Sequence, residues 1–146
     1  MTEQEVLDFF ESLRNLVEEL KILKKERKNV MRDMAEVKAV SYEKPKITCT
    51  SNSDLSKTLE RIYKKCEILD RKLLECTSNL ADMRSKAYEL INLCKDSRQR
   101  CILYDYYLSG ESWDSIQKKY HYARTWPFIL RRRAIRNIVD SIWPKE

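Results

Sequence analysis

Glycine, proline and histidine are scarce in this sequence, which has one Gly, three Pro and one His among 146 residues. A phosphate-binding loop or a dinucleotide fingerprint needs several glycines, because the backbone must adopt positive φ angles or approach the ligand closely. The five cysteines include no CxxC pair, so a Cys/His zinc site has no credible set of ligands. We therefore expect a protein that is not an enzyme and that holds no metal ion and no cofactor.

Long apolar runs and a secretory leader are also missing. No apolar stretch approaches the roughly 20 residues that span a bilayer, and the opening residues MTEQEVLDFF are acidic where a signal peptide would be basic. We expect no membrane partner and a location in a reducing cytoplasm. Charged residues make up 36% of the chain, and a charged composition with little glycine or proline is typical of long solvated helices. The sequence predicts an all-α fold.

Two long segments carry apolar residues at alternating spacings of three and four, the pattern of an amphipathic, coiled-coil-like helix. In residues 4–40 only Arg27 interrupts the stripe; it either selects a register or extends its charged end into solvent, and the second is favoured. In residues 54–95 every stripe position is apolar. The first stripe comprises Val6, Phe9, Leu13, Leu16, Leu20, Leu23, Val30, Met34 and Val37, widened by Phe10, Val17 and Met31. The second comprises Leu55, Leu59, Ile62, Cys66, Leu69, Leu73, Cys76, Leu80, Met83, Ala87, Leu90 and Cys94, where free thiols act as small apolar groups.

Residues 41–52 are predicted to connect the two long helices, because Pro45 cannot continue a helix and Ser, Thr and Asn cluster after it. A helix restarts at Ser53-Asp54, either of which can cap it. The two stripes need burial. An antiparallel hairpin within the chain, pairing with a second chain, or both would supply it.

Charged residues beside the first stripe support a coiled-coil-like seam. Glu19 lies five residues before Lys24, and Asp33 lies five residues before Lys38, a spacing that allows ion pairs across two parallel helices. We expect residues 1–95 to form a helical hairpin or coiled-coil oligomerisation region, and the protein to be a homodimer through its long helices.

Residues 96–146 are predicted to form a separate domain of three short helices with a tight turn between the last two, the helix-turn-helix arrangement. The only glycine, Gly110, follows the first helix, Ser112 caps the second, and Pro127 falls in the first turn of the third. Trp113 is expected at the centre of the core. The predicted helices are Arg98–Leu108, Trp113–Tyr120, and a third that begins around Ala123–Trp126 and runs to about Ile142.

The net charge of +6 is concentrated in the last third of the chain, since residues 95–146 carry +5. A surface helix usually mixes signs, because like charges repel at i,i+4. An acid-free basic cluster is the electrostatic footprint of a surface that binds a phosphate backbone, although it also occurs as a solvated face. The seven cations between Gln117 and Asn137, with no acid among them, are Lys118, Lys119, Arg124, Arg131, Arg132, Arg133 and Arg136.

Three short motifs follow one another in residues 98–138: ILYDYYL at 102–108, GESWDSI at 110–116 and RAI at 133–135. In this order and spacing they resemble the fourth conserved region of bacterial sigma factors. More closely, the segment is similar to single-chain phage late-gene transcription regulators of the ArpU and RinA type, many of which also carry long helices before the motif. The resemblance covers the last 45 or so residues well and the remainder only as architecture.

The resemblance implies sequence-directed binding of double-stranded DNA through the third helix. It also implies transcription control of a phage or prophage gene block in the host bacterial cytoplasm, with RNA polymerase as a further candidate partner. By alignment, the positions that reach into the major groove are Arg124, Thr125, Phe128 and Ile129, and Arg124 can read a guanine edge or a phosphate. The cations expected to complete the DNA-binding surface are Lys118, Lys119, Arg131, Arg132 and Arg136.

The polar base-reading positions of the family hold Phe128 and Ile129 here, with Trp126 beside them. These three residues are candidates for contact with thymine methyl groups or for docking a protein. A third interpretation places Trp126 and Phe128 in the core against the long helices.

Two alternative functions fit the same pattern. A phage terminase small subunit also joins a helix-turn-helix to helical oligomerisation segments, but assembles into rings of eight or more copies. A protein-interaction factor with a degenerate helix-turn-helix would act on polymerase or a repressor through residues 126–130.

Overall fold

The computed structural model describes residues 1–43 and 49–142, and within these ranges it contains helices and turns but no strand. The all-α prediction is therefore confirmed, and two long helices precede the shorter ones as expected. A π-helical turn over Tyr104–Leu108 follows α3 directly. The helices are α1 (Glu3–Glu43), α2 (Cys49–Ile91), α3 (Ser97–Leu103), α4 (Trp113–Tyr120) and α5 (Trp126–Ile142).

The connection between α1 and α2 is shorter than the predicted connector at 41–52. Helix α1 continues to Glu43, and α2 already begins at Cys49, four residues before the predicted cap at Ser53-Asp54. Serine, threonine and asparagine cost only a few tenths of a kcal/mol each in a helix, so a cluster of them does not end one. Pro45 lies outside the described residues.

The described residues divide into two compact units, which do not coincide with the predicted boundary at residue 95. Unit 2 comprises Leu20–Thr77 and contains the adjoining parts of α1 and α2. Because a short connection joins two helices that pack side by side, they run antiparallel. The chain thus forms a helical hairpin with itself, and pairing between chains stays a prediction. Buried Val30, Met34, Cys66 and Leu69 form the core of unit 2, with Leu23, Leu59 and Ile62 packed against it.

Arg27, the interruption in the first stripe, extends across this hairpin. Its Nε lies 2.6 Å from Oδ1 of Asp70 on α2, and both side chains are about half exposed. The bond to Asp70 raises the pKa of Arg27. Since the pair is solvated, it is screened by salt and contributes little to stability. The guanidinium thus extends out of the stripe and at the same time pairs with the facing helix.

Unit 1 comprises Met1–Glu19 together with Ser78–Glu146. The start of α1 and the end of α2 therefore pack with the three short helices. Phe10 of α1 is fully buried, and its ring centre lies 5.1 Å from that of Tyr107. The fully buried larger side chains of this unit are Val6, Phe10, Leu13, Cys94, Ile102, Leu103, Tyr107, Leu108, Ile116, Pro127, Leu130 and Ile138.

The predicted stripes agree closely with the observed burial. Every stripe position of residues 54–95 is buried or partly buried. On α1 the correspondence is looser, since Phe10 is fully buried while Phe9 is only partly so, and Met31 is 43% exposed. Burial raises the pKa of the Cys94 thiol to about 11, so this cysteine stays protonated at neutral pH and packs as an apolar group.

Candidate nucleic-acid interface

Three local features define helix α4 and its connection to α5. The Ser112 side chain accepts a hydrogen bond from the amide of Ser115 and so caps α4, as predicted. His121 ends α4 in the left-handed conformation, at φ 57°. The Gln117 side chain then donates to the carbonyl of Arg124 at 3.2 Å, which ties α4 to the segment before α5.

The core beneath these helices centres on one residue from each of three elements: Ile102, Ile116 and Leu130. The expectation that Trp113 occupies the centre is wrong, because Trp113 is only partly buried and packs at the edge. Trp113 instead stacks on Tyr106 and packs against Phe128 at the rim of this core. The aromatic residues around this centre are Tyr106, Trp113, Tyr120, Tyr122 and Trp126.

A continuous stack of side chains leads from α1 to the surface of α5. The guanidinium carbon of Arg14 lies 3.8 Å from the centre of the Tyr106 ring. That ring stacks on Trp113 at 3.9 Å, and Trp113 contacts Phe128 at 4.8 Å between ring centres. The orientation of Phe128 is therefore set by residues that begin on the first helix.

Arg14 also binds the main chain just before α4. Its Nη1 donates to the carbonyl oxygens of Tyr106 and Glu111, which belong to the π-helical turn and to the loop that follows it. Sequence reasoning missed Arg14, because a single arginine beside an apolar stripe carries no signal that distinguishes it from a solvated one.

A buried carboxylate organises the opposite end of α4. Asp105 is 6% exposed and accepts hydrogen bonds from the hydroxyl of Tyr120 and from Nζ of Lys119. Burial, followed by the bond to Asp105, raises the pKa of Tyr120. Lys119 lies 3.7 Å from Glu111 as well, and its bond to Asp105 raises its pKa. Lys119, predicted as a DNA contact, is thus engaged by two carboxylates inside the unit.

One face of α5 points into solvent and is lined by residues spaced three or four apart. They surround a shallow depression of about 360 Å³, and none of them is acidic. Five were predicted as site residues, and Arg133 was known only as a member of the cationic cluster. The lining residues are Thr125, Phe128, Ile129, Arg132, Arg133 and Arg136.

The cations predicted to bind phosphate differ in what they contact. Among the described residues, Lys118, Arg124 and Arg132 form no ion pair, and all three are exposed. Arg136 Nε lies 3.6 Å from Oε1 of Glu3 at the start of α1, with both side chains more than half exposed. An exposed pair of this kind is weak, so a phosphate can replace the carboxylate.

Arg131 and Arg133 instead pack on aromatic rings. Arg131 is partly buried, with its guanidinium 5.3 Å from the centre of the Trp113 ring, so it lies at the edge of the exposed face. Arg133 lies 5.4 Å from the Trp126 ring, and Arg98 of α3 approaches the same ring at 6.0 Å. Cation–π contacts of this kind hold the arginines in position without neutralising them.

The apolar segment at the start of α5 is divided between the core and the surface. Pro127 is buried, and Trp126 is partly buried against the small core rather than against the long helices. Phe128 and Ile129 remain 40% and 39% exposed. Two of the three predicted interaction residues are therefore accessible, and Trp126 contributes mainly to packing.

No group of side chains in the described ranges is suited to hold a metal ion. None of the described helices combines the length and the apolar character that crossing a bilayer requires. Comparison of the chain with protein-family models, with curated proteins and with solved structures finds no match.

Proposed function

We propose that this protein binds double-stranded DNA with α5 as its recognition helix and regulates transcription. The observation that carries the proposal is the solvent-facing, acid-free side of α5, where three arginines surround two exposed apolar residues. The resemblance of residues 98–138 to phage late-gene regulators supports the same function in a host bacterial cytoplasm.

The dimensions of α5 suit the major groove. Its 17 residues span about 26 Å at 1.5 Å per residue, and a helix with its side chains is about 10–12 Å wide, close to the width of the groove. In a helix-turn-helix the start of the second helix approaches base edges. Arg124 and Thr125 precede that start, and Arg132 and Arg136 lie about two and three turns beyond it, where phosphates flank the groove.

Binding by one unit of this size is weak, and a dimer that reads two half-sites increases the affinity through effective concentration. We therefore retain the homodimer as part of the proposal, with the long helices as the dimer surface. RNA polymerase remains a candidate second partner of such a regulator.

The salt dependence of DNA binding tests the proposal. We expect a 40-base-pair duplex of random sequence to be retained at 50 mM salt and largely released at 200 mM, because binding displaces counterions from the phosphates. Arg132→Ala should weaken binding to every sequence alike and reduce the slope of log K against log salt by about one.

Arg71→Ala is the matched control, since it removes one positive charge from an exposed position of α2 outside the proposed surface. Equal losses in the two variants would mean that only net charge matters, and α5 would lose its assigned role.

Docking of a protein is the second candidate function, and the exposure of Phe128 and Ile129 favours it. The same titration distinguishes the two candidate functions. If no duplex is retained at 50 mM salt, DNA binding is refuted and the apolar pair is better explained as a protein contact.

A further inference from the structure

We propose that Phe128 and Ile129 recognise the C5 methyl groups of thymine, so that the protein selects its DNA sites partly by apolar contact. This inference rests on the proposed DNA binding and specifies which chemical group of the base pair is read.

The first argument is the composition of the depression on α5. Of its six lining residues, three are arginines, two are apolar, and Thr125 is the one uncharged polar residue. Asparagine and glutamine, which read adenine through paired hydrogen bonds, are not among them. The groups at the centre of this face are apolar, so the feature of an A·T pair that they fit is the thymine methyl group, the apolar feature of the major groove.

The second argument is the charge around the apolar pair. A partner that covers Phe128 and Ile129 must also approach Arg132, Arg133 and Arg136. The major groove of duplex DNA meets both demands, since it places methyl groups on its floor between two rows of phosphates.

The third argument is that the ring of Phe128 is already oriented. It contacts Trp113 at 4.8 Å, and Trp113 is itself stacked on Tyr106. Little side-chain freedom remains to be lost when the ring meets a base edge, so its contact area contributes more fully to binding.

The test compares thymine with uracil, which lacks only the methyl group. Duplexes selected by the protein from a randomised pool are resynthesised with deoxyuridine in place of thymidine, and both forms are titrated at the same salt concentration. We expect the uracil form to bind about fourfold more weakly for each methyl group contacted, the ratio that corresponds to burying one methyl-sized group.

Two variants locate the effect on the protein. Ile129→Ala and Phe128→Ala should each bring the thymine-to-uracil affinity ratio closer to one. Phe128 also packs on Trp113, so the exposed Ile129 is the safer variant if Phe128→Ala loses stability. Ile22→Ala, which truncates a 67% exposed apolar residue of α1, is the control and should keep the wild-type ratio.

The results that would contradict the methyl contact differ from those that would contradict DNA binding. Equal binding of the thymine and uracil forms overturns the methyl contact while leaving DNA binding in place. A ratio that persists in both α5 variants also overturns it, because the discrimination would then arise elsewhere. Absence of binding to every duplex at low salt refutes the proposed function and this inference together.

Discussion

Arg14 shows how one side chain on the first helix holds the π-helical turn and the loop before α4 in place. It combines a stack on Tyr106 with hydrogen bonds to two main-chain carbonyls, those of Tyr106 and Glu111. A planar guanidinium can serve all three contacts at once, whereas an ammonium group cannot. Loss of this residue should therefore affect both the stability of unit 1 and the orientation of the aromatic stack.

We predict that Arg14→Ala lowers the free energy of unfolding by about 2–3 kcal/mol, because two partly buried carbonyls lose their donor. Arg14→Lys should recover only part of this. Urea denaturation followed by circular dichroism measures both. Arg32→Ala, at an exposed position of α1 with a long contact to Asn29, should change stability by less than about 0.5 kcal/mol. A loss for Arg14→Ala no larger than for this control would contradict the assigned contacts.

At the scale of single residues, the sequence predicted the candidate site only in part. Thr125, Phe128 and Ile129 were predicted from the resemblance to phage regulators, and Arg132 and Arg136 from the acid-free cluster of cations. Lys119 and Arg131 share the same charge pattern, but Asp105 binds the first and Trp113 packs against the second. Such partners are distant in sequence, and no local pattern reveals them.

At the scale of the elements, the turn between α4 and α5 contains a residue with a strained backbone conformation. His121 adopts the left-handed conformation at φ 57°, where a side chain with a Cβ is strained by roughly 1–2 kcal/mol and glycine is not. We predict that His121→Gly stabilises the protein by about 0.5–1 kcal/mol, the strain relief being partly offset by the greater freedom of glycine in the unfolded chain.

Thermal unfolding should show this as a rise of a few degrees in Tm. His121→Val, with a β-branched side chain at the same position, should lower Tm. A fall in Tm for the glycine variant would mean that the imidazole makes a stabilising contact that outweighs the backbone strain.

The helices themselves were well predicted, because apolar periodicity records which positions are buried. Their ends and irregularities were not. The π-helical turn at Tyr104–Leu108 reads as ordinary helix in the sequence, and the start of α2 at Cys49 lies in a polar segment. On α1, the choice of Phe10 over Phe9 for the core depends on Tyr107, a partner 97 residues later.

For the whole molecule, the main consequence of the packing is that unit 1 is discontinuous in sequence. Residues 1–19 and 78–146 form one compact body, although the composition of the chain suggested a boundary at 95. Lys86 of α2 lies over the Phe9 ring at 5.2 Å, so the two long helices are side by side within this unit.

We predict that a fragment of residues 96–146 does not fold alone. In this fragment Tyr107 loses its contact with Phe10, and the core of unit 1 loses the side chains that α1 and α2 contribute. Residues 1–19 joined to 78–146 by a short Gly/Ser linker should fold, since that chain retains all of unit 1. Circular dichroism and the cooperativity of thermal unfolding distinguish the two. Cooperative unfolding of the 96–146 fragment at the Tm of the full chain would show that these residues fold without α1 and α2.

The ion pair between Glu3 and Arg136 has a practical consequence for work with this protein. Glu3 lies beside the arginines of α5, so any charge introduced next to it changes the electrostatic potential of the proposed DNA-binding face. An acidic or polyhistidine segment joined close to Glu3 would therefore distort measurements of DNA affinity. Such a segment should be removed before binding is measured.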